Sequence, residues 1–167
     1  MNPLTPGASL RDRGLYLAGP DGFTEPGRLF HAQVLVPKVT AAGWLPLDPW
    51  DYLEKPPEAD DAPGQAPPDA FAIGRRNAEL IDAADAVLAN LEGTDVDSGT
   101  AAEIGYAYGR GIPVVGFRAD DRRTGENLGT TVNLQVEYFI RASGGTVHDN
   151  LDDAIASLGQ LPPTVRA

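Results

Sequence analysis

The sequence predicts a single α/β domain, Rossmann-like or flavodoxin-like, with a five-stranded parallel sheet and helices on both faces. Three observations predict it. Short apolar runs and stretches with helical spacing alternate about five times along the chain. The runs are nearly continuous in apolar residues, as strands covered on both faces are. The length, 167 residues, suits one core.

The elements follow in order. Residues 1–13 are polar and carry two prolines, which reads as a flexible N-terminal arm before a domain spanning 14–160. GLYLAG (14–19) is a buried first strand ending in a Gly-Pro-Asp-Gly turn. From Arg28 to Ala42, Leu29, Phe30, Val34, Leu35 and Val39 recur at helical spacing, with Gly43 as the stop and Pro37 as a kink or break. WLPLD (44–48) is the second strand. The proline-rich, acidic stretch 49–68 is too long and irregular to be a simple connection, and it is expected to shape a site. A helix runs from an Asp69 N-cap to Ala84, and AVLANL (86–91) is the third strand. Gly99–Gly111 is a helix of small residues, IPVVGF (112–117) the fourth strand, and 118–127 a charged loop. A helix over 128–141, a short fifth strand in GGTVHD (144–149) and a helix over Leu151–Leu158 complete the chain.

Bulk chemistry narrows the function. The formal net charge is −11 and no basic stripe is present, which excludes a nucleic-acid polymer or an anionic membrane as the natural partner. There are no cysteines, so thiolate catalysis, disulfides and Cys-based zinc sites are excluded. His31 and His148 lie far apart and outside any ligand-spaced motif, so no metal is expected. The start carries neither a signal peptide nor an apolar anchor, and a cytoplasmic protein is the default expectation.

In a parallel α/β sheet, ligands bind beyond the carboxyl ends of the strands, here the loops after Ala18, Leu47, Leu91 and Phe117. The most informative loop follows the third strand. It carries Asp95, Asp97 and Ser98 at a helix start, and Glu103 comes within the next turn or two. Asp97 or Ser98 suits the N-cap, and Asp97 and Glu103 can face one crevice. The positive end of the helix should favour an ionised carboxylate there. Gly99, Ala101, Ala102 and Gly105 leave room for a ligand beside Glu103. Taken by spacing alone, the same residues also describe a capping Asp and a Glu on a solvated face. Two acids argue against a phosphate at this helix end, and no glycine-rich phosphate loop is present.

The segments LYLAGPDGF (15–23), RNAELIDAADAVLANL (76–91), DVDSGTAAEIGYAYGRGIPVVGF (95–117) and NLQVEYFI (133–140) resemble, in this order, the nucleoside 2-deoxyribosyltransferase family. The run D-x-S-G-T-A-x-E-x-G-Y-A is the most specific of the matches. The resemblance implies transfer of 2'-deoxyribose between nucleobases through a covalent glycosyl-glutamate. It implies Glu103 as the nucleophile, Tyr16 as the residue orienting its carboxylate, and Asp97 as the ligand of the sugar 5'-hydroxyl. Phe23 falls near the base, beside Gly19 in the turn that closes the first strand. Asn133 and Gln135 lie on a segment that reaches into a neighbouring subunit's site, which implies a homo-oligomer, a dimer or larger. Nucleosides and free nucleobases are the expected partners, with no cofactor, in nucleotide salvage.

Two departures modify this expectation. Asn77 stands where many members carry an aspartate that helps protonate the leaving base, and an amide delivers no proton at neutral pH. Related 5'-monophosphate N-hydrolases hold phosphate with small hydroxyl residues at the positions of Asp97 and Asn133. An aspartate there repels a phosphate dianion and points to a free nucleoside. The alternatives are a deoxynucleoside or deoxynucleotide N-glycoside hydrolase and, in another class, a nucleoside- or nucleotide-binding sensor without turnover. A pure sensor has no need of the Tyr16–Glu103 pair.

Overall fold

Side chains alternate across each strand, so every strand feeds two cores. In the computed structural model, which describes residues 13–51, 70–126, 129–162 and 164, strand β1 (Gly14–Ala18) turns Leu15 and Leu17 to one face and Tyr16 and Ala18 to the other. Strands β2 (Leu45–Leu47), β3 (Ala86–Asn90), β4 (Val114–Phe117) and β5 (Val147–His148) complete a parallel sheet of five strands in the order β2-β1-β3-β4-β5. Tyr16 lies opposite Leu47 on one side and Val87 on the other, and Asn90 lies opposite Phe117. This is the flavodoxin-like order. The chain reverses direction across the sheet at β1, which leaves a crevice above the ends of β1 and β3.

One face is covered by helices α3 (Ala70–Ala83), α4 (Ser98–Gly109) and α5 (Leu134–Ala142), through Ile81, Ile104, Ala107, Val136 and Ile140. The other is covered by α2 (Val36–Ala41) and α6 (Leu151–Ser157), with Leu35, Val39, Leu151 and Ala154 turned inward. Burial of the Ile, Leu and Val side chains among these, at roughly 1.5–3 kcal/mol each, is the main force holding the helices on the sheet.

The strands fall where the sequence places them, each trimmed by a residue or more. β2 is an edge strand, which is why Pro46 is tolerated in it. The first helical stretch begins earlier than Arg28. Helix α1 (Glu25–Phe30) is capped by Thr24, whose Oγ1 accepts the Gly27 N–H, and Pro26 occupies the first turn, where its missing N–H does no harm. The expected break at Pro37 takes the form of a π-helical segment, His31–Leu35, between α1 and α2. Pro37 has no N–H to bond four residues back, and the Val36 N–H reaches instead to the carbonyl of His31. Gly43 ends the stretch with φ 88°, the left-handed region that glycine adopts at no cost.

The helix expected from residue 128 starts at Leu134. Asn133 is its N-cap, accepting N–H groups of Gln135 and Val136, and residues 129–132 before it are not helical. The N-terminal arm, Asp69 and all but the first three residues of the 49–68 stretch lie outside the described residues. Among the described residues, no helix is long and apolar enough to cross a membrane.

Candidate active site

A cleft of about 300 Å³ opens at the carboxyl ends of β1 and β3, lined by Gly19, Phe23, Pro49, Trp50, Ile73, Asn77, Asp97, Gly99, Thr100 and Glu103. Five elements or loops meet there, as the switch in strand order requires. Glu103 stands on the second turn of α4, and Tyr16 reaches it from the middle of β1.

Tyr16 is fully buried, and its hydroxyl donates to Glu103 Oε1 at 2.7 Å. Asn77, on α3, directs Nδ2 to the same oxygen at 3.4 Å. Both donors converge on Oε1, so Oε2 is the carboxylate oxygen without a hydrogen bond among the described residues. Burial raises the Glu103 pKa to about 7, the nearby Asp97 charge adds to the rise, and the bonds from Tyr16 and Asn77 oppose it. One turn into α4, desolvation thus works against the ionised form that the helix end favours. Tyr16 is held firmly protonated by its burial and by the Glu103 charge.

Asp97 caps α4. Its Oδ2 accepts the Thr100 N–H at 3.0 Å and the Thr100 hydroxyl at 3.2 Å, while Oδ1 makes no hydrogen bond among the described residues. The loop that carries it is anchored by Arg118, a buried residue at the end of β4. Its guanidinium donates to the carbonyls of Leu91 at 2.5 Å and Gly93 at 2.8 Å. The opposite wall is aromatic. Phe23 meets Trp50 edge to face, with ring centroids 4.9 Å apart. Gly19 is needed beneath it, because a Cβ there would stand 2.9 Å from both Asp21 Oδ2 and Asn90 Cβ.

Of the residues singled out in the sequence, Tyr16, Gly19, Phe23, Asn77, Asp97 and Glu103 come together in or against this cleft. Asn133 and Gln135 do not line it. Asn133 caps α5 and donates to Glu126 at 2.5 Å, and Gln135 is exposed. Sequence reasoning missed Trp50 and Ile73 in the lining, and a buried polar cluster beneath the aromatic wall: Asp21, His31, Asp48 and Asn90. An aspartate just past the end of each of two neighbouring strands was the available signal. Among the described residues, no group of His, Cys, Asp and Glu is arranged to hold a metal ion.

A carboxylate beside a capped helix end, in an apolar cleft, is suited, once ionised, to attack on a small neutral substrate. No curated protein sequence matches the chain. Among solved structures, a conserved protein from Enterococcus faecalis V583 superposes with a TM-score of 0.70 at 26% identity, over 89% of this chain and 98% of that one. A 2-desoxiribosyltransferase from Leishmania mexicana gives 0.65 at 25% identity, over 89% and 97%. A 2-deoxyribosyltransferase from Bacillus psychrosaccharolyticus shares the fold, with a TM-score of 0.64 at 22% identity over 92% and 99%. Residues 15–135, which hold the described lining of the cleft, match the family described as nucleoside 2-deoxyribosyltransferase, and the chain belongs to that family of enzymes of the N-glycosidic bond.

Proposed function

We propose that the protein transfers 2'-deoxyribose from one nucleobase to another by double displacement at Glu103. The observation that carries this reading is the carboxylate itself, held by the Tyr16 hydroxyl through one oxygen and open through the other. In the first step Oε2 bonds to C1', the C1'–N bond breaks, and its electron pair leaves with the base, which takes up a proton. In the second step a nitrogen of the incoming base bonds to C1', Glu103 leaves as carboxylate, and the incoming base gives up its proton. Two inversions give net retention, as in retaining glycosidases. A 2-deoxy sugar lacks the electron-withdrawing hydroxyl, so the oxocarbenium-like transition state is accessible without a metal or redox cofactor.

In this reading Asp97 Oδ1 accepts the 5'-hydroxyl, Phe23 and Trp50 stack against the base, and Gly19 lets the base approach the end of β1. Asn77 hydrogen-bonds the base edge but supplies no proton. Asn133 and Gln135 serve the cleft of a neighbouring copy, in a cytoplasmic homo-oligomer. Incubating a deoxynucleoside with and without a second free base, followed by chromatography, tests the reading. A new deoxynucleoside formed only with the second base is the expected result. Release of free deoxyribose in both arms makes the enzyme a hydrolase, and binding without any product makes it a sensor.

A further inference from the structure

None of Asp21, His31, Asp48 and Asn90 lines the cleft, yet they form one connected cluster directly behind its aromatic wall. His31 is 7% exposed and opens the π-helical segment. Its Nε2 lies 2.5 Å from Asp48 Oδ2, and its Nδ1 lies 3.7 Å from Asp21 Oδ2, an ion-pair distance. Asp48 Oδ1 accepts the Trp50 N–H at 2.9 Å, and Asp21 Oδ1 accepts the Asn90 side-chain N–H at 2.7 Å. Asp21 stands two residues before Phe23, and Asp48 two residues before Trp50. One imidazole therefore faces two loops, each of which carries one ring of the wall.

Two buried carboxylates this close to a neutral imidazole would be served by one N–H between them. A protonated ring donates from Nε2 to Asp48, sets its Nδ1, which makes no hydrogen bond among the described residues, at ion-pair distance from Asp21, and cancels part of their charge. We infer that His31 is a positioning residue: a buried imidazolium between Asp21 and Asp48 that ties the loops after β1 and β2 together and so seats Phe23 and Trp50 at the cleft. Burial by itself lowers the His31 pKa, but the two carboxylates outweigh it and lift the value to about 9. The charged groups facing the ring are Asp21, from the turn after β1, and Asp48, from the end of β2. Beyond them stand two neutral groups, Asn90 of β3 bonded to Asp21 and the Tyr16 phenol of β1 within the field of Asp48. The ring sits at the first residue of the π-helical segment that precedes Pro37.

The tie is independent of turnover; only its use in base binding rests on the proposed function. The chain has two tryptophans, so 5-fluorotryptophan NMR reads both. Trp44, buried in the core, is the internal control, and Trp50→Phe assigns the signals. In the wild type, raising the pH through about 9 should shift the Trp50 resonance and leave that of Trp44 in place. His31→Gln should displace the Trp50 resonance at neutral pH and abolish its titration. Gly22→Ala sets the scale of the shift, because its Cβ would stand 2.1 Å from the Trp50 ring and must push the ring aside. In kinetics, His31→Gln should raise KM for the donor roughly tenfold while kcat changes less than about threefold. A Trp50 resonance that ignores both pH and His31→Gln overturns the inference, as does a fall in kcat at unchanged KM. Where His31→Gln does not fold, a wild-type Trp50 signal that stays fixed while the folded protein passes through about pH 9 overturns it equally. A wild type without turnover counts against the proposed function, and the NMR titration still decides the role of His31.

Discussion

At Glu103, the burial that would shield the proposed glycosyl ester from stray water also disfavours the ionised carboxylate needed to form it. The free enzyme should therefore show kcat/KM rising with pH through about 7, the value at which Glu103 loses its proton. Glu103→Gln should lower turnover by several powers of ten, on the order of 4 kcal/mol or more. It should also change the pH dependence of stability. Between the ordinary carboxyl value of 4.5 and the raised value of about 7, the folded state holds a proton that the unfolded chain has lost. The stability from this group is complete below that window and is lost as pH rises through it. The Gln variant should melt above the wild type at about pH 8, with the gap closing toward about pH 5. Equal melting at both pH values shows that Glu103 is not raised. Asn77 poses the complementary question, since it reaches the same oxygen without being able to protonate a base. Purines take up their proton at an outward nitrogen open to water, so purine donors should outpace pyrimidine donors. Asn77→Asp should speed pyrimidine donors more than purine donors, by up to the ~10²–10⁴-fold of general acid help. Competition assays of thymidine against deoxyadenosine read the ratio, and an unchanged ratio removes Asn77 from the proton question.

Helix α4 depends on Asp97 for two things at once, its N-terminal cap through Oδ2 and a free oxygen toward the cleft. Substitutions separate them. Asp97→Ala should lose about 1 kcal/mol of stability with the cap, whereas Asp97→Ser keeps a capping hydroxyl and should melt near the wild type. Both should lose activity on deoxynucleosides, and a Ser variant with wild-type KM means that Asp97 does only structural work. The strands, and this helix start, were legible because each announces itself within a few residues: an apolar run, or an Asp before small helix formers. Helix boundaries were less so. Glu25-Pro26-Gly27 looks like a turn, and only the Thr24 bond to Gly27 shows that it is a first helical turn. Asn133 reads as one more residue of a helix until its bonds to Gln135 and Val136 identify it as the start. The cluster of Asp21, His31 and Asp48 was illegible because its members sit on three different segments of chain. No period links them, and the contact exists only once β1 and β2 are neighbours.

For the molecule as a whole, two questions lie beyond the single chain: whether copies share sites, and how its charge selects a substrate. If Asn133 serves a neighbour, Asn133→Ser is the suitable variant, since serine keeps the α5 cap. Mixed with Glu103→Ala after dissociation and reassembly, it should regain part of the activity through hybrid sites, and a monomer by light scattering removes shared sites altogether. The charge question has a sharper physical form. The chain carries a net −11, Asp97 and Glu103 stand in the cleft, and its described lining includes no basic side chain. Arg76 is near, but it lines an adjoining recess with Ile73 and Asn77, and Asp97 is not part of that recess. A deoxynucleoside 5'-monophosphate would bring a near-dianion toward Asp97, against both the local charge and the field of the whole surface. Deoxynucleosides should therefore be preferred over their monophosphates. The long-range part of that preference should weaken with salt, because screening shortens from about 30 Å at 0.01 M to about 10 Å at 0.1 M. The contact with Asp97 is too short to be screened and should survive, until Asp97→Ser removes it and raises relative activity on the monophosphate. Measuring kcat/KM for both substrates across that salt range, in both proteins, separates the two contributions. A wild type that prefers the monophosphate overturns the assignment of Asp97. A preference for the nucleoside that is indifferent to salt and persists in Asp97→Ser places the discrimination in the shape of the cleft instead of its charge.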